Sequence, residues 1–314
     1  MNAPPIRTDA SHLTRGYLIA LVGTAIWSTT AIFIRYLTTH YALPPLVLAF
    51  WRDLFVAAGL AIAIAVFNQR LFRPERRRWK FLLAYGFVLS VFNMLWTVAV
   101  ALDGAAVATV LVYNSPAFTA LLAWRLFGER LSPAKILAIL LSLVGCILVA
   151  GAYDPAAWQV NPLGIAAGLL GGLAFAVYSI MGRAAAQRNM PTWSTLLYIF
   201  FAAAVFLLLY QVIPALMPGS PYSLNLLALG NSLTGWAVLA ALALGPTIGG
   251  YGLYTVSLAY LPASVANLIA TLEPTMTAAL AYFLLGETFT LLQVVGSILV
   301  LLGVVILRVW DRRP

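Results

Sequence analysis

The chain repeats itself. A shift of 158 residues lays Ala105, Val107 and Ala108 on Ala263, Val265 and Ala266, Pro116 on Pro274, and Thr119-Ala120 on Thr277-Ala278. The same shift carries Leu126 to Leu284, Gly128-Glu129 to Gly286-Glu287 and Gly145 to Gly303. A proline inside an apolar run and a Gly-Glu pair at its end, matched without a gap, mark an internal duplication, which sets the architecture before any element is assigned. A weaker register of 148 lays Gly16, Gly23 and Arg35 on Gly164, Gly171 and Arg183.

Composition decides what the duplicated unit is made of. With 63% hydrophobic and 9% charged residues, the chain has too little polar surface to cover a soluble globule. Its apolar runs of about 20 residues fit helices that cross a bilayer. Ten such spans are expected, over 16–38, 45–67, 80–102, 104–127, 133–151, 163–185, 193–213, 236–260, 262–285 and 290–308, giving an all-α integral membrane protein. Pro44-Pro45, Arg73-Pro74, Ser132-Pro133, Asn161-Pro162 and Leu261-Pro262 punctuate the junctions. The first run is too long for a cleavable signal, and its far end carries Arg35-Tyr36 rather than a small-residue cleavage site. Cys146 is the single cysteine and lies in an apolar run, so no intrachain disulfide forms.

Basic residues orient the bundle. With the N-terminus inside, the inner segments hold Arg7, Arg15, Arg70, Arg73, Arg76, Arg77, Arg78 and Lys80. They also hold Arg125, Arg130, Lys135, Arg183, Arg188, Arg308, Arg312 and Arg313, leaving only Arg35 and Arg52 elsewhere. This asymmetry predicts cytoplasmic termini in a bacterial inner membrane. The Arg70–Lys80 cluster also suits anionic lipid head groups, so lipid is an expected partner. The net charge of +9 is therefore topological, and nucleic-acid binding is excluded.

Five spans per copy is an odd number, so the second copy enters the bilayer from the opposite side and a pseudo-two-fold axis lies in the membrane plane. The expected divisions are a tail at 1–15, a first repeat at 16–151, an outer linker at 152–162, a second repeat at 163–308 and a tail at 309–314. Two inverted five-helix repeats around a central cavity form the architecture of alternating access, and hence of a carrier.

The segments Phe127-Gly-Glu-Arg-Leu-Ser-Pro with Gly145, and Leu285-Gly-Glu-Thr-Phe-Thr with Gly303, resemble the EamA repeat of the drug/metabolite transporter superfamily. In that repeat a mid-helix proline is followed by Gly-Glu and a glycine-bearing final span. The resemblance runs from about Gly16 to Leu307 and is nearest to aromatic amino-acid exporters of the YddG type. It implies ten helices in two inverted repeats and export of an aromatic or other apolar amino acid.

Substrate is expected where the paired proline-broken helices free backbone carbonyls at membrane depth. Pro116 and Pro274 occupy mirrored positions, with Tyr113, Asn114 and Ser115 beside the first and Asn267, Thr271 and Glu273 beside the second. The alternative is a kink that only shapes helix packing. Glu273 is the one acid near a bilayer centre, where a carboxylate costs on the order of 3 kcal/mol, so it must face protein or water. It serves either as a cation or proton-coupling site or as a neutral hydrogen-bonding group. Trp27, Trp96, Tyr178, Tyr251 and Tyr254, with Asn93, are candidates for an aromatic and polar lining, against plain packing. Gly245, Pro246, Gly249 and Gly250 lie in a stretch too rich in helix-breaking residues to be a stiff helix. They suit a flexing gate or a close helix approach.

Arg35, Arg52 and Asp53 fall in the outer parts of their spans, where a snorkelling anchor is expected over a gate. Glu129 and Glu287 sit at helix ends and are expected to cap neighbouring backbone, Glu129 with Arg130 as the alternative partner. Trp79, Trp124, Trp193 and Trp310, and at the other face Trp158 and Trp236, fit interfacial belts. His12 and His40 lie in a tail and a loop, so no histidine pair stands at depth, and neither a catalytic constellation nor metal-ligand spacing is present. No cofactor is expected, and an enzyme is not indicated. No Lys or Arg is expected at mid-depth for phosphorylated cargo. An apolar or aromatic small molecule remains, either an amino acid or an amphipathic organic cation held by Glu273 and aromatic faces. A lipid scramblase is the reading from a different class.

Overall fold

A computed structural model describes residues 10–72, 78–158, 161–217, 225–285 and 290–310. Thirteen α-helices are described: α1 Ala10–Ser28, α2 Thr30–His40, α3 Pro45–Phe67, α4 Trp79–Val112, α5 Ser115–Phe127, α6 Pro133–Val149 and α7 Pro162–Gln187. They continue as α8 Thr192–Ala215, α9 Leu233–Leu242, α10 Ile248–Ser257, α11 Ala263–Ala270, α12 Glu273–Leu285 and α13 Leu291–Trp310. No strand occurs among the described residues. Among the described residues, eight helical stretches are long and apolar enough to cross a membrane, and α6 is a shorter apolar helix. α11 and α12 lie in the run expected over 262–285.

Local chemistry starts and stops the helices. Ser132 caps α6 by accepting from Lys135 N at 3.2 Å, and Asn161 caps α7 by accepting from Leu163 N at 2.9 Å. Proline follows each cap, at the first helical position, where a missing N–H costs nothing. Gly128, at φ 69°, ends α5 in the left-handed conformation, and Glu129 N returns to Ala123 O. Gly104, at φ 78°, divides α4 into two limbs at the junction expected between the third and fourth runs. The first helix begins at Ala10, earlier than expected. His12 is therefore helical rather than part of a tail, with its ring 4.7 Å from Tyr260.

The duplication is visible in the packing. α6 crosses α13, α3 packs on α8 and α5 on α11, while α1 packs on α10 as α7 packs on α4. Apart from α5 on α11, each pair is either its own mirror or the mirror of another. The reciprocity reaches single residues. A Cβ on Gly145 would lie 2.6 Å from Gly296 O, and one on Gly303 would lie 2.8 Å from Ala138 O. The 158 shift interchanges those contacts, as a two-fold relation requires. Likewise Gly23 abuts Leu253 and the Tyr254 backbone, as Gly171 abuts Leu95 and the Trp96 backbone. The weaker 148 register is thus a real structural correspondence.

Several side chains depart from expectation. Arg52 and Asp53 are not surface anchors: they are 7% and 0% exposed and face the bundle interior. Arg35, by contrast, is exposed. Glu129 pairs with Lys135 at 3.3 Å rather than with Arg130, and it caps a neighbouring helix by accepting from Ala263 N at 3.1 Å. Ser264 also donates to it. Trp79, Trp124, Trp193 and Trp310 are exposed, while Trp236 is half-buried against Trp51. Gly286, Glu287, Arg7, Arg73, Arg76, Arg77, Arg312 and Arg313 and the side chains of Trp158 and Leu284 lie outside the described residues.

Candidate functional site

Two helix breaks meet at the centre. The first copy breaks at Tyr113-Asn114, between α4 and α5, and the second at Thr271-Leu272, between α11 and α12. These positions coincide under the 158 shift. Pro116 and Pro274 are the second residues of α5 and α12, so each starts a half-helix rather than bending a continuous one. The carbonyl that Pro116 leaves unbonded belongs to Val112. The Gly172 backbone of α7 packs so closely there that a Cβ would sit 2.9 Å from that oxygen.

Polar side chains from both copies close on one another at these breaks. Tyr113 donates to Glu273 Oε2 at 2.6 Å. Asn267, fully buried, accepts from Ser115 Oγ at 2.9 Å and donates to Thr119 Oγ1 at 2.9 Å and Ser179 Oγ at 3.0 Å. Ser179 in turn shares a 2.6 Å hydrogen bond with the Tyr254 hydroxyl. One amide therefore ties α5 to α7 and α11. Glu273 and Ser115 are equivalent positions, so the acid breaks the internal symmetry. Thr271 donates to Leu268 O, and its carbonyl accepts from the Cys146 thiol at 3.7 Å. Asn114 is turned back toward Val110 O and Leu111 O on α4.

The aromatic candidates gather beside this network, with one exception. Trp27 packs on Tyr251 at 4.4 Å, Tyr254 at 5.8 Å and Phe175 at 5.9 Å. Phe175 stacks on Tyr178 at 5.9 Å, and Tyr178 meets Tyr251 edge-on at 5.7 Å. Trp96 is half-buried opposite Gly171, and among the described residues no ring packs on it. Asn93 belongs to a separate cluster: it donates to Asp53 Oδ2 at 2.8 Å and accepts from Arg52 Nη2 at 2.9 Å.

The glycine-rich stretch explains how Trp27 reaches the tyrosines. Ala243–Thr247 forms a π-helical turn around Gly245-Pro246, and Thr247 Oγ1 donates to Leu242 O at 2.8 Å, the carbonyl that Pro246 cannot bond. Gly249 and Gly250 then lie against Ile26 and Trp27, where added Cβ atoms would come within 2.9 and 2.8 Å of side-chain carbons. Close approach of α10 to α1 accounts for both glycines. A cavity of about 450 Å³ lies apart from this site, between α4 and α7, lined by apolar residues including Phe87, Leu95 and Leu170. Among the described residues no group of three metal-ligating side chains occurs.

Sequence reasoning did not single out Ser179 or Phe175, ordinary residues within an apolar run. It also passed over Asp103, which accepts from Asn161 N at 2.7 Å and so ties the start of α7 to the α4 bend. An acid beside a helix-interrupting glycine was the available signal.

Known proteins resemble this chain in fold and in sequence. A solved crystal structure aligns with a TM-score of 0.76 over 95% of this chain and 97% of that one, at 20% identity, which establishes likeness of fold. The uncharacterized transporter YwfM of Bacillus subtilis is 26% identical, with 94% of each chain covered. An uncharacterized transporter of Archaeoglobus fulgidus is 29% identical over 69% of this chain and 74% of its own. The threonine/homoserine exporter RhtA of Salmonella typhimurium is 25% identical over 77% of this chain and 75% of its own. The family model of EamA-like transporters matches residues 14–151 and again 162–309, one match for each copy of the duplication. Membrane-length helices, a duplicated bundle and these two matches make the chain an integral membrane protein that belongs to the EamA-like transporter family.

Proposed function

We propose that this chain is a secondary carrier that exports amino acids, aromatic or otherwise apolar, across a bacterial cytoplasmic membrane by alternating access. In this reading ten helices form two inverted five-helix repeats, with both termini cytoplasmic. The observation that carries it is the closure of polar groups from both copies across the paired breaks, with Asn267 as hub and Glu273 bonded to Tyr113. Such a site offers hydrogen bonds that a solute exchanges for those the protein makes to itself, without exposing polar atoms to lipid. The ring cluster around Trp27 supplies a surface for an apolar side chain. Glu273 is the group that trades its tyrosine bond for a proton or a cationic moiety during the cycle. The resemblance to RhtA, named as a threonine/homoserine exporter, supports amino-acid cargo.

A second reading, export of amphipathic organic cations, is favoured by Glu273 standing near aromatic residues. The apolar cleft between α4 and α7 does not favour a scramblase, because its lining offers no polar track for a head group. The test is transport by the purified chain in proteoliposomes, using a panel of amino acids and organic cations with and without a pH gradient. Amino-acid flux that loses its pH dependence in Glu273→Gln supports the reading. Flux of cations alone transfers it to the second reading, and flux of neither abandons both.

A further inference from the structure

Arg52 and Asp53 are charged, adjacent and enclosed. They lie about 10 Å along α3 from its start, at roughly 1.5 Å per residue. With Asn93 they form a closed triangle: Arg52 Nε to Asp53 Oδ1 at 3.2 Å, Arg52 Nη2 to Asn93 Oδ1 at 2.9 Å, and Asn93 Nδ2 to Asp53 Oδ2 at 2.8 Å. All three residues are less than 10% exposed. Arg52 Nη1 takes no part in the triangle.

Such a triangle is a poor device for stability. Desolvation of two buried charges offsets most of their attraction, and apolar residues of the same volume commonly do as well. Nor does the ion pair join two helices, because its partners are consecutive on α3 and only Asn93 reaches α4. The triangle also adjoins the aromatic cluster: Phe92, which precedes Asn93 on α4, packs on Phe175 at 5.1 Å. Phe175 in turn packs on Trp27 at 5.9 Å.

We propose that Arg52 and Asp53 recognise the zwitterionic head of the transported solute. The guanidinium takes an α-carboxylate through Nη1 and Nη2, Asn93 gives up its bond to Nη2, and Asp53 takes the α-ammonium. Guanidinium and carboxylate form a planar, two-point match. The solute brings the same two charges that the protein groups present to each other when the site is empty, so the exchange leaves no net charge uncompensated in the membrane. An amine without its carboxylate leaves Arg52 unmatched, and an ester does the same. This inference rests on the amino-acid reading above and deepens it by naming the head-group contacts.

Equilibrium binding to the purified full chain tests it, with radiolabelled L-phenylalanine and L-threonine as probes and 2-phenylethylamine as the decarboxylated competitor. Arg52→Gln is expected to weaken binding of the better amino acid at least tenfold while leaving the amine within twofold, and Arg52→Lys to recover part of the loss. The double variant Arg52→Gln/Asp53→Asn, which removes both charges but keeps hydrogen-bonding amides, separates recognition from folding. It should melt near the wild type and still lose the preference for the amino acid. Equal weakening of acid and amine, an unchanged preference in the double variant, or no binding of either amino acid to the wild type overturns the proposal. Wild-type binding without transport would instead overturn the carrier reading and leave this contact standing.

Discussion

The reciprocal glycine contact between α6 and α13 yields the sharpest prediction. A Cβ on Gly145 would sit 2.6 Å from Gly296 O, and ordinary contact begins near 3.4 Å, so the backbones must separate by about 0.8 Å. For Gly303, whose Cβ would sit 2.8 Å from Ala138 O, the required opening is about 0.6 Å. Neither neighbour is a flexible side-chain tip, so the whole interface opens. A gap of that size forfeits roughly a quarter to a half of the dispersion well for the atoms on either side. Overpacking of this kind costs about 1–3 kcal/mol, against a gain of about 1 kcal/mol from replacing glycine by alanine in a helix. Gly145→Ala and Gly303→Ala should therefore each destabilise by up to about 2 kcal/mol. The double variant should cost less than the sum, because one separation of α6 from α13 relieves both clashes. Gly245→Ala is the control: nothing lies within 4 Å of its Cβ, so it should melt at or above the wild-type temperature. Tryptophan-fluorescence melting in detergent micelles reads all four variants against the wild type. If one glycine is sensitive and its mate tolerant, the two-fold relation between the copies is wrong.

Two further outcomes follow from the same contacts. Asn267→Ala removes three interhelical hydrogen bonds at a fully buried position and should lower stability by about 2–3 kcal/mol, at up to about 1 kcal/mol per bond. Asn267→Ser, which restores fewer of those bonds, should fall between the alanine variant and the wild type in the same melting assay. Glu129→Ala strips the cap from Ala263 N and leaves the largely buried Lys135 ammonium without its counter-ion, a change that should cost about 3 kcal/mol. Adding Lys135→Met should recover much of that loss in the melt; no recovery would show that the cap alone matters.

Much of the fold was legible in the chain, for physical reasons. Lipid supplies no partner for backbone N–H and C=O groups, so apolar runs of membrane length must become helices. The duplication was equally plain, because Pro116 with Pro274 and Gly145 with Gly303 fix where helices break and where they cross. Even the weak 148 register was correct: Gly23 and Gly171 meet mirrored partners.

What the chain could not show was azimuth. Distance from a helix end is the same for a residue that snorkels and for one that is enclosed, so depth alone places Arg52 and Asp53 at the head groups, whereas the packing of α3 turns them inward. Glu129 had basic neighbours on both sides in sequence, and only the position of the α11 N-terminus selected Lys135 over Arg130. Asn267 was recognisable as a buried polar group, yet its partners lie 88 to 152 residues away in the chain. Sequence thus determined what must be helical, what is duplicated and which polar groups need partners. Only the tertiary structure decided who those partners are, because polarity states the cost of burial but carries no record of which neighbour will stand opposite.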